Sequence, residues 1–242
     1  MQMPDGTIVQ RTKGTPQGGV ISPILSNLFL HYVFDAWMKR HYPQTPWCRY
    51  ADDGLVHCQT EQEAQKLLAA LKERFEACKL EIHPTKTKIV YCKNERRKGT
   101  YETTKFVFLG YEFRRRTVRN SQDGSIYLGF TPAVSPEALK SIHAEIRRWK
   151  LHRKTSHTLE ALAQEYNPIL RGWLNYYGQY SASCMRPVWM HINKKLSKWA
   201  QRKYKKLKGR TIKTREFLEG IARKQPELFV HWKVTGMIKG FV

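Results

Sequence analysis

The chain is poor in acid. Its 242 residues hold 20 Asp+Glu against 43 Lys+Arg, a formal net charge of +23. An excess of that size points to a polyanionic partner, nucleic acid before an anionic membrane. Cysteine is scarce too, with five residues (Cys48, Cys58, Cys78, Cys92, Cys184), an odd number without a CxxC pair. Neither a disulfide framework nor a zinc site is expected, and a reducing, cytoplasmic compartment fits. No apolar run reaches the ~18–20 residues that cross a bilayer, so no membrane partner is expected. The opening MQMPDGTIVQ lacks the basic start and apolar middle of a secretory signal. Low-complexity linkers and internal repeats are missing as well. With 41% hydrophobic and 12% aromatic residues, the composition is that of a globular chain.

The acids that are present are unevenly placed. Residues 121–242 carry 23 Lys+Arg against 8 Asp+Glu, and none of those acids lies between Tyr166 and Arg215. Two others stand side by side in WCRYADDGLVHCQ, as Asp52 and Asp53. Asp-Asp-Gly is ordinary turn chemistry, and Asp53-Gly54 can close a two-residue hairpin. Adjacent carboxylates also repel unless a cation neutralises them, so a divalent metal site is the competing reading.

The first half alternates element types. GTIVQRTKG reads as a strand or hairpin arm. After Ser22-Pro23 comes a helix with the apolar face Ile24, Leu25, Leu28, Phe29, Tyr32 and Val33. Asp35 on that helix reads as a surface or capping acid. CRYADDGLVHC predicts strand, turn, strand. Thr60 and Glu63 form a capping box for a helix with Leu67, Leu68, Leu71, Phe75 and Cys78 on its face. LEIHP, KIVYC and KFVFLGYEF are strand candidates. The second half is helical. Caps at Ser135, Thr158 and Asn167-Pro168 open three helices, and a fourth runs from about Pro187 to Lys206. The boundary falls in residues 114–125, which end in an Asp123-Gly124 turn signal. The fold class is therefore α+β, an antiparallel sheet with helices on one face followed by a helical domain.

Four blocks then appear in order: GTPQGGVISPILSNLFL (14–30), RYADDGLVHC (49–58), LEIHPTKTKIV (80–90) and KFVFLGYEF (105–113). They resemble the later palm motifs of reverse transcriptases. EALAQEYNPILRGWLNYYGQY (160–180) with the basic helix after it resembles the maturase-specific domain of group II intron-encoded proteins. The resemblance implies a partial palm over 1–118, a helical thumb and maturase domain over 119–210, and a tail over 211–242 without an endonuclease domain. It implies that the chain binds structured intron RNA to assist splicing and copies RNA into DNA by two-metal nucleotidyl transfer.

The same resemblance assigns residues. Asp52 and Asp53 become the catalytic Mg²⁺ ligands, and Lys86 the lysine near the leaving pyrophosphate. Gln17, Gly18, Gly19 and Tyr50 would contact template and nucleotide, and Leu109, Gly110 and Tyr111 the primer. RNA contacts are expected from Arg171, Lys194, Lys195, Lys198, Arg202 and Lys205, since residues 186–210 hold ten Lys+Arg and no acid. Trp173, Tyr176 and Tyr177 are stacking candidates or core. Phe229, His231 and Trp232 read as packing residues. The expected partners are intron RNA, RNA template, DNA primer and deoxynucleotides. Two departures stand out. Lys79 replaces a glycine common in relatives, and the metal site lacks a third carboxylate, for which neither Asp5 nor Asp35 qualifies. An RNA-binding maturase without polymerase activity of its own is thus the alternative, and a separate N-terminal fragment would be the partner that completes the site.

Overall fold

In the computed structural model, residues 14, 18–97, 99–120 and 122–234 are described below. The chain divides into two compact units, Met1–Ile89 and Val90–Val242. This contact division falls earlier in the chain than the 114–125 stretch expected as the domain boundary, of which residues 114–119 end a strand. The expected strand in GTIVQRTKG lies outside the described residues.

In the first unit, helix α1 (Ser22–Leu30) has Pro23 in its first turn, runs into a π-helical segment (His31–Asp35) and continues as α2 (Ala36–His41). The π segment changes which side faces inward. Val33, Phe34 and Met38 are buried, whereas Ile24, Leu25, Leu28, Phe29 and Tyr32, the expected core face, are exposed. Strands β1 (Trp47–Tyr50) and β2 (Asp53–Val56) form a two-stranded antiparallel hairpin. Helix α3 (Glu61–Ala77) starts at the expected cap: Thr60 Oγ1 accepts from the Glu63 amide, and the Glu63 carboxylate accepts from the Gln59 amide. The small core joins Phe34 and Met38 to Leu67 and Leu71. LEIHP is not a strand. Residues 80–83 are irregular and 84–86 make a turn.

The second unit has the larger core. KIVYC also lacks strand pairing. Strands β3 (Lys105–Phe108), β4 (Tyr111–Arg119) and β5 (Ile126–Val134) form an antiparallel meander in that order. The strands of the α+β fold therefore lie in two separate small sheets rather than in one. Helix α4 (Pro136–Arg148) is capped by Ser135, whose Oγ accepts from Ala138. Helix α5 (Leu159–Tyr177) is capped by Thr158. It is a single helix where two were expected, and Pro168 lies inside it. Asn167 does not cap a helix. Its Nδ2 donates to the Leu228 carbonyl and its Oδ1 accepts from the Val230 amide, so it ties down the segment before α8 (Val230–Val234).

Helix α6 (Arg186–Lys203) crosses this core, burying Val188, Trp189, Ile192, Leu196 and Trp199, and α7 (Thr211–Lys224) adds Leu218 and Ala222. Phe229 and Trp232 are 1% exposed within the same core. Residues 211–232 are accordingly part of the second unit and not a loose tail. Each fully buried side chain of this kind contributes about 1.5–3 kcal/mol, so the core cannot dispense with them. At its centre, Asn193 Oδ1 accepts from both His231 Nε2 (2.8 Å) and Trp232 Nε1 (3.1 Å).

Candidate active-site hairpin and nucleic-acid interface

The β1–β2 register pairs Tyr50 with Asp53, so the two-residue turn is Ala51-Asp52, two positions earlier than an Asp53-Gly54 turn. Ala51 takes φ 52°, the left-handed conformation such a tight turn demands. Asp52 sits at the tip and Asp53 opens β2, both exposed. Tyr50 is 65% exposed, so it is not a core aromatic. Among the described residues neither the Asp52 nor the Asp53 carboxylate has an ion-pair or hydrogen-bonding partner. Adjacent unpaired carboxylates and no thiol or imidazole make a donor set that suits a hard divalent cation. Among the described residues no group of three or more His, Cys, Asp or Glu forms a metal cluster.

Arg49 holds this tip. Its Nε donates to Asp35 Oδ1 (2.7 Å) and its Nη2 to Asp35 Oδ2 (2.6 Å), a two-pronged charge-assisted pair. Its Nη1 donates to Asn27 Oδ1 (3.0 Å) and to the Ala51 carbonyl (2.7 Å). Asp35 is therefore not a free surface acid. It is the end of a strut from the π-helical segment to the strained turn residue. The hydrogen bonds from Arg49 hold the Asp35 carboxyl below its ordinary 3.8 against the opposing effect of burial.

Of the other nucleotide-site candidates in this unit, Gly18 is exposed at φ 85°, a conformation that calls for glycine, and Gly19 O accepts from the Ser22 amide at the entry to α1. Gln17 lies outside the described residues. Lys86 is exposed in the 84–86 turn, not on a strand beside Lys88. The His83 ring shapes that turn, its Nδ1 within 3.4 Å of the Thr85 and Lys86 amides.

In the second unit the β3–β4 turn is Leu109-Gly110, with φ 50° and 76°. Leu109 O accepts from the Tyr176 hydroxyl (2.8 Å), and Gly110 O accepts from the Ser135 amide (2.9 Å). A Cβ on Gly110 would stand 2.8 Å from the Tyr177 hydroxyl, so only glycine fits. Tyr111 is 9% exposed and donates to the Tyr176 carbonyl. Of this trio, Tyr111 is a packing residue that anchors the turn under the end of α5.

The basic helix divides as its period dictates. Ile192, Leu196 and Trp199 face the core, while Lys194, Lys198 and Arg202 are exposed and Lys195 is partly covered. Arg171 on α5 is exposed too. The helix ends at Lys203, so Lys205 belongs to the following 3₁₀ turn (Lys205–Leu207). Lys203 has a structural role, donating to the Thr155 (2.9 Å) and His157 (2.6 Å) carbonyls. The face is wider than one helix. Burial lowers the Lys195 ammonium, helped by Lys198, Arg147 and Lys194. Burial likewise lowers His152, helped by Arg202, Arg153, Lys195 and Lys198. Arg147 and Arg153 were not anticipated, although the run RRWKLHRK was a visible signal for them.

Two family profiles match the chain. The reverse transcriptase (RNA-dependent DNA polymerase) profile covers residues 3–113. The group II intron, maturase-specific domain profile covers residues 139–217. The chain is of the intron-encoded reverse transcriptase/maturase family. The hairpin carrying Asp52 lies in the reverse transcriptase domain and α6 in the maturase-specific domain. No curated protein matches the chain.

Proposed function

We propose that this reverse transcriptase/maturase grips structured intron RNA through the basic face of α6 to assist splicing, and presents Asp52 and Asp53 for copying RNA into DNA. The observation that carries the reading is the joint occurrence of the two domains, each with its expected surface exposed. Asp52 and Asp53 would hold Mg²⁺, which when bound supplies positive charge to phosphoryl oxygens during nucleotidyl transfer. Lys86 is the proposed neutraliser of the leaving pyrophosphate. Gln17, Gly18, Gly19 and Tyr50 are the proposed nucleotide and template contacts. Leu109 and Gly110 offer the backbone of their turn to a primer, with Tyr111 holding it from below. Arg171, Lys194, Lys195, Lys198, Arg202 and Lys205 are the proposed RNA contacts.

A second reading, RNA binding without polymerisation by this chain alone, is favoured by one observation: among the described residues no third ligand-type side chain joins Asp52 and Asp53. One paired assay separates the two. Intron splicing at limiting Mg²⁺ and templated primer extension are measured with the wild type, Asp52→Asn, and the triple change Lys194→Ala, Lys198→Ala, Arg202→Ala. The triple change should remove splicing assistance, and Asp52→Asn should leave it intact. Extension that is present in the wild type and lost in Asp52→Asn establishes the polymerase. Splicing assistance that survives the triple change refutes the role given to α6.

A further inference from the structure

Strand β4 carries the sequence RRRTVR, and none of its arginines was assigned to a ligand. A groove of about 610 Å³ runs along β4 from Arg114 to Arg119 and is walled by the segment from Tyr180 to Cys184. Ser181 pins that wall to the sheet, its Oγ donating to the Pro132 carbonyl (2.9 Å).

The charge in this groove is not balanced. Its nearest acid, Glu112, is already shared. Arg114 Nε (2.8 Å) and Arg116 Nη2 (3.1 Å) both reach Glu112 Oε2, and Lys105 Nζ lies 3.7 Å from Oε1. Arg115 and Arg119 are exposed, and among the described residues no carboxylate pairs with either.

From the geometry we infer that this groove is a second nucleic-acid site, which takes the phosphate backbone of a strand passing along β4. Side chains alternate along a strand, so Arg115 and Arg119 share one face, about 13 Å apart at ~3.3 Å per residue. That is too long for one phosphate and suits successive ones. The occupant is a nucleic-acid strand and not a free oligophosphate because an aromatic stands in the wall. Tyr180 is 64% exposed, with its ring edge-on to Tyr111 at 5.6 Å, and can stack on a base. Tyr180 in the groove wall touches Tyr111, the first residue after the Leu109-Gly110 turn, so a strand held at that turn would pass beside the groove. The inference rests on the nucleic-acid reading above but on different residues.

The test uses the full chain and a fluorescein-labelled single-stranded 20-nucleotide RNA. Anisotropy is measured at several KCl concentrations for the wild type, for Arg115→Gln with Arg119→Gln, for Tyr180→Ala, and for the α6 triple change. Both arginines are exposed, and an unchanged thermal melt checks the fold. The double Gln variant should lower the slope of log affinity against log salt by roughly 1.4, at ~0.7 per single-strand phosphate contact. Tyr180→Ala should weaken binding several-fold at an unchanged slope, and Tyr180→Phe should restore it. Inorganic tripolyphosphate at equal phosphate concentration should displace the RNA poorly. An unchanged slope in the double variant, alongside a lowered slope in the α6 variant, overturns the groove and leaves the parent reading intact. Wild-type protein that binds no RNA overturns both. Displacement by tripolyphosphate as effective as by unlabelled RNA overturns the strand.

Discussion

Arg49 shows how much one side chain can organise. Its guanidinium makes four hydrogen bonds to three different residues, and one of them ends on the carbonyl of the strained Ala51. Both it and Asp35 are largely covered, at 11% and 17% side-chain exposure. Removing Arg49 takes the fork from a largely covered carboxylate, leaving it His31 Nδ1 at 3.3 Å, and frees the tip. Arg49→Ala should raise amide hydrogen exchange at residues 50–54 roughly 10- to 100-fold, the equivalent of ~1–3 kcal/mol for an unmet buried partner. Arg49→Lys keeps the charge but not the fork and should recover little of that. The sign with pH follows from Asp35, whose carboxyl titrates lower in the fold than in the unfolded chain. The strut is whole above the ordinary value of 3.8 and fails as pH falls through the lower folded value. The exchange difference between wild type and variant should therefore persist at pH 5. A turn in this stretch was legible in the sequence because turn chemistry is local, although it falls at Ala51-Asp52 and not at Asp53-Gly54. The strut was not, because Asp35 and Arg49 pair across fourteen residues with nothing in the intervening chain to announce it.

Elements were read well where a cap fixed them. Thr60, Ser135 and Thr158 each accept the amide three residues on, as their spacing predicted. Elements were misread where tertiary contacts override local preference. Pro168 would ordinarily break a helix at a cost of about 3 kcal/mol. Here Tyr166 and Leu170 on either side of it are buried, and the Asn167 amide is committed to residues 228 and 230. Helix α3 ends by another route. Lys79 occupies φ 59°, and the Leu80 amide reaches back to the Phe75 carbonyl (2.8 Å) in a Schellman closure. The lysine that departs from the relatives' glycine thus stands where glycine is easiest. Lys79→Gly should relieve left-handed strain of ~1–2 kcal/mol, less the added entropy of the unfolded chain. A raised denaturant midpoint, equivalent to up to ~1 kcal/mol of unfolding free energy, would show it, and a lowered midpoint would mean that the strain is already relieved.

On the scale of the whole molecule, composition foretold the basic surface but not the cost of the core. His231 is fully buried, and burial lowers its pKa to about 3. It is neutral in the fold, while the unfolded chain takes up a proton below about 6.5. Stability from this site is full above 6.5 and drains as pH falls toward 3. His191 acts in the same direction, lowered to about 4 by burial and by His143. Between pH 7 and 5 the His231 site alone should cost the second unit about 2 kcal/mol. His231→Gln, which can keep a donor for Asn193, should show a smaller drop in melting temperature over that interval. An equal drop would place the acid sensitivity elsewhere.

The placement of Phe229 and Trp232 in the core also sets a timetable. Ribosomes add about 5–20 residues per second. The interval between the emergence of Pro136 and that of Trp232 is therefore roughly 5–20 s. As it passes, α4, then α5, then α6 emerge with apolar sides that Phe229 and Trp232 have yet to cover. The arginines and lysines that α6 bears on its other side repel the equally basic neighbouring nascent chains during that wait, a service distinct from the RNA contact proposed for the finished protein.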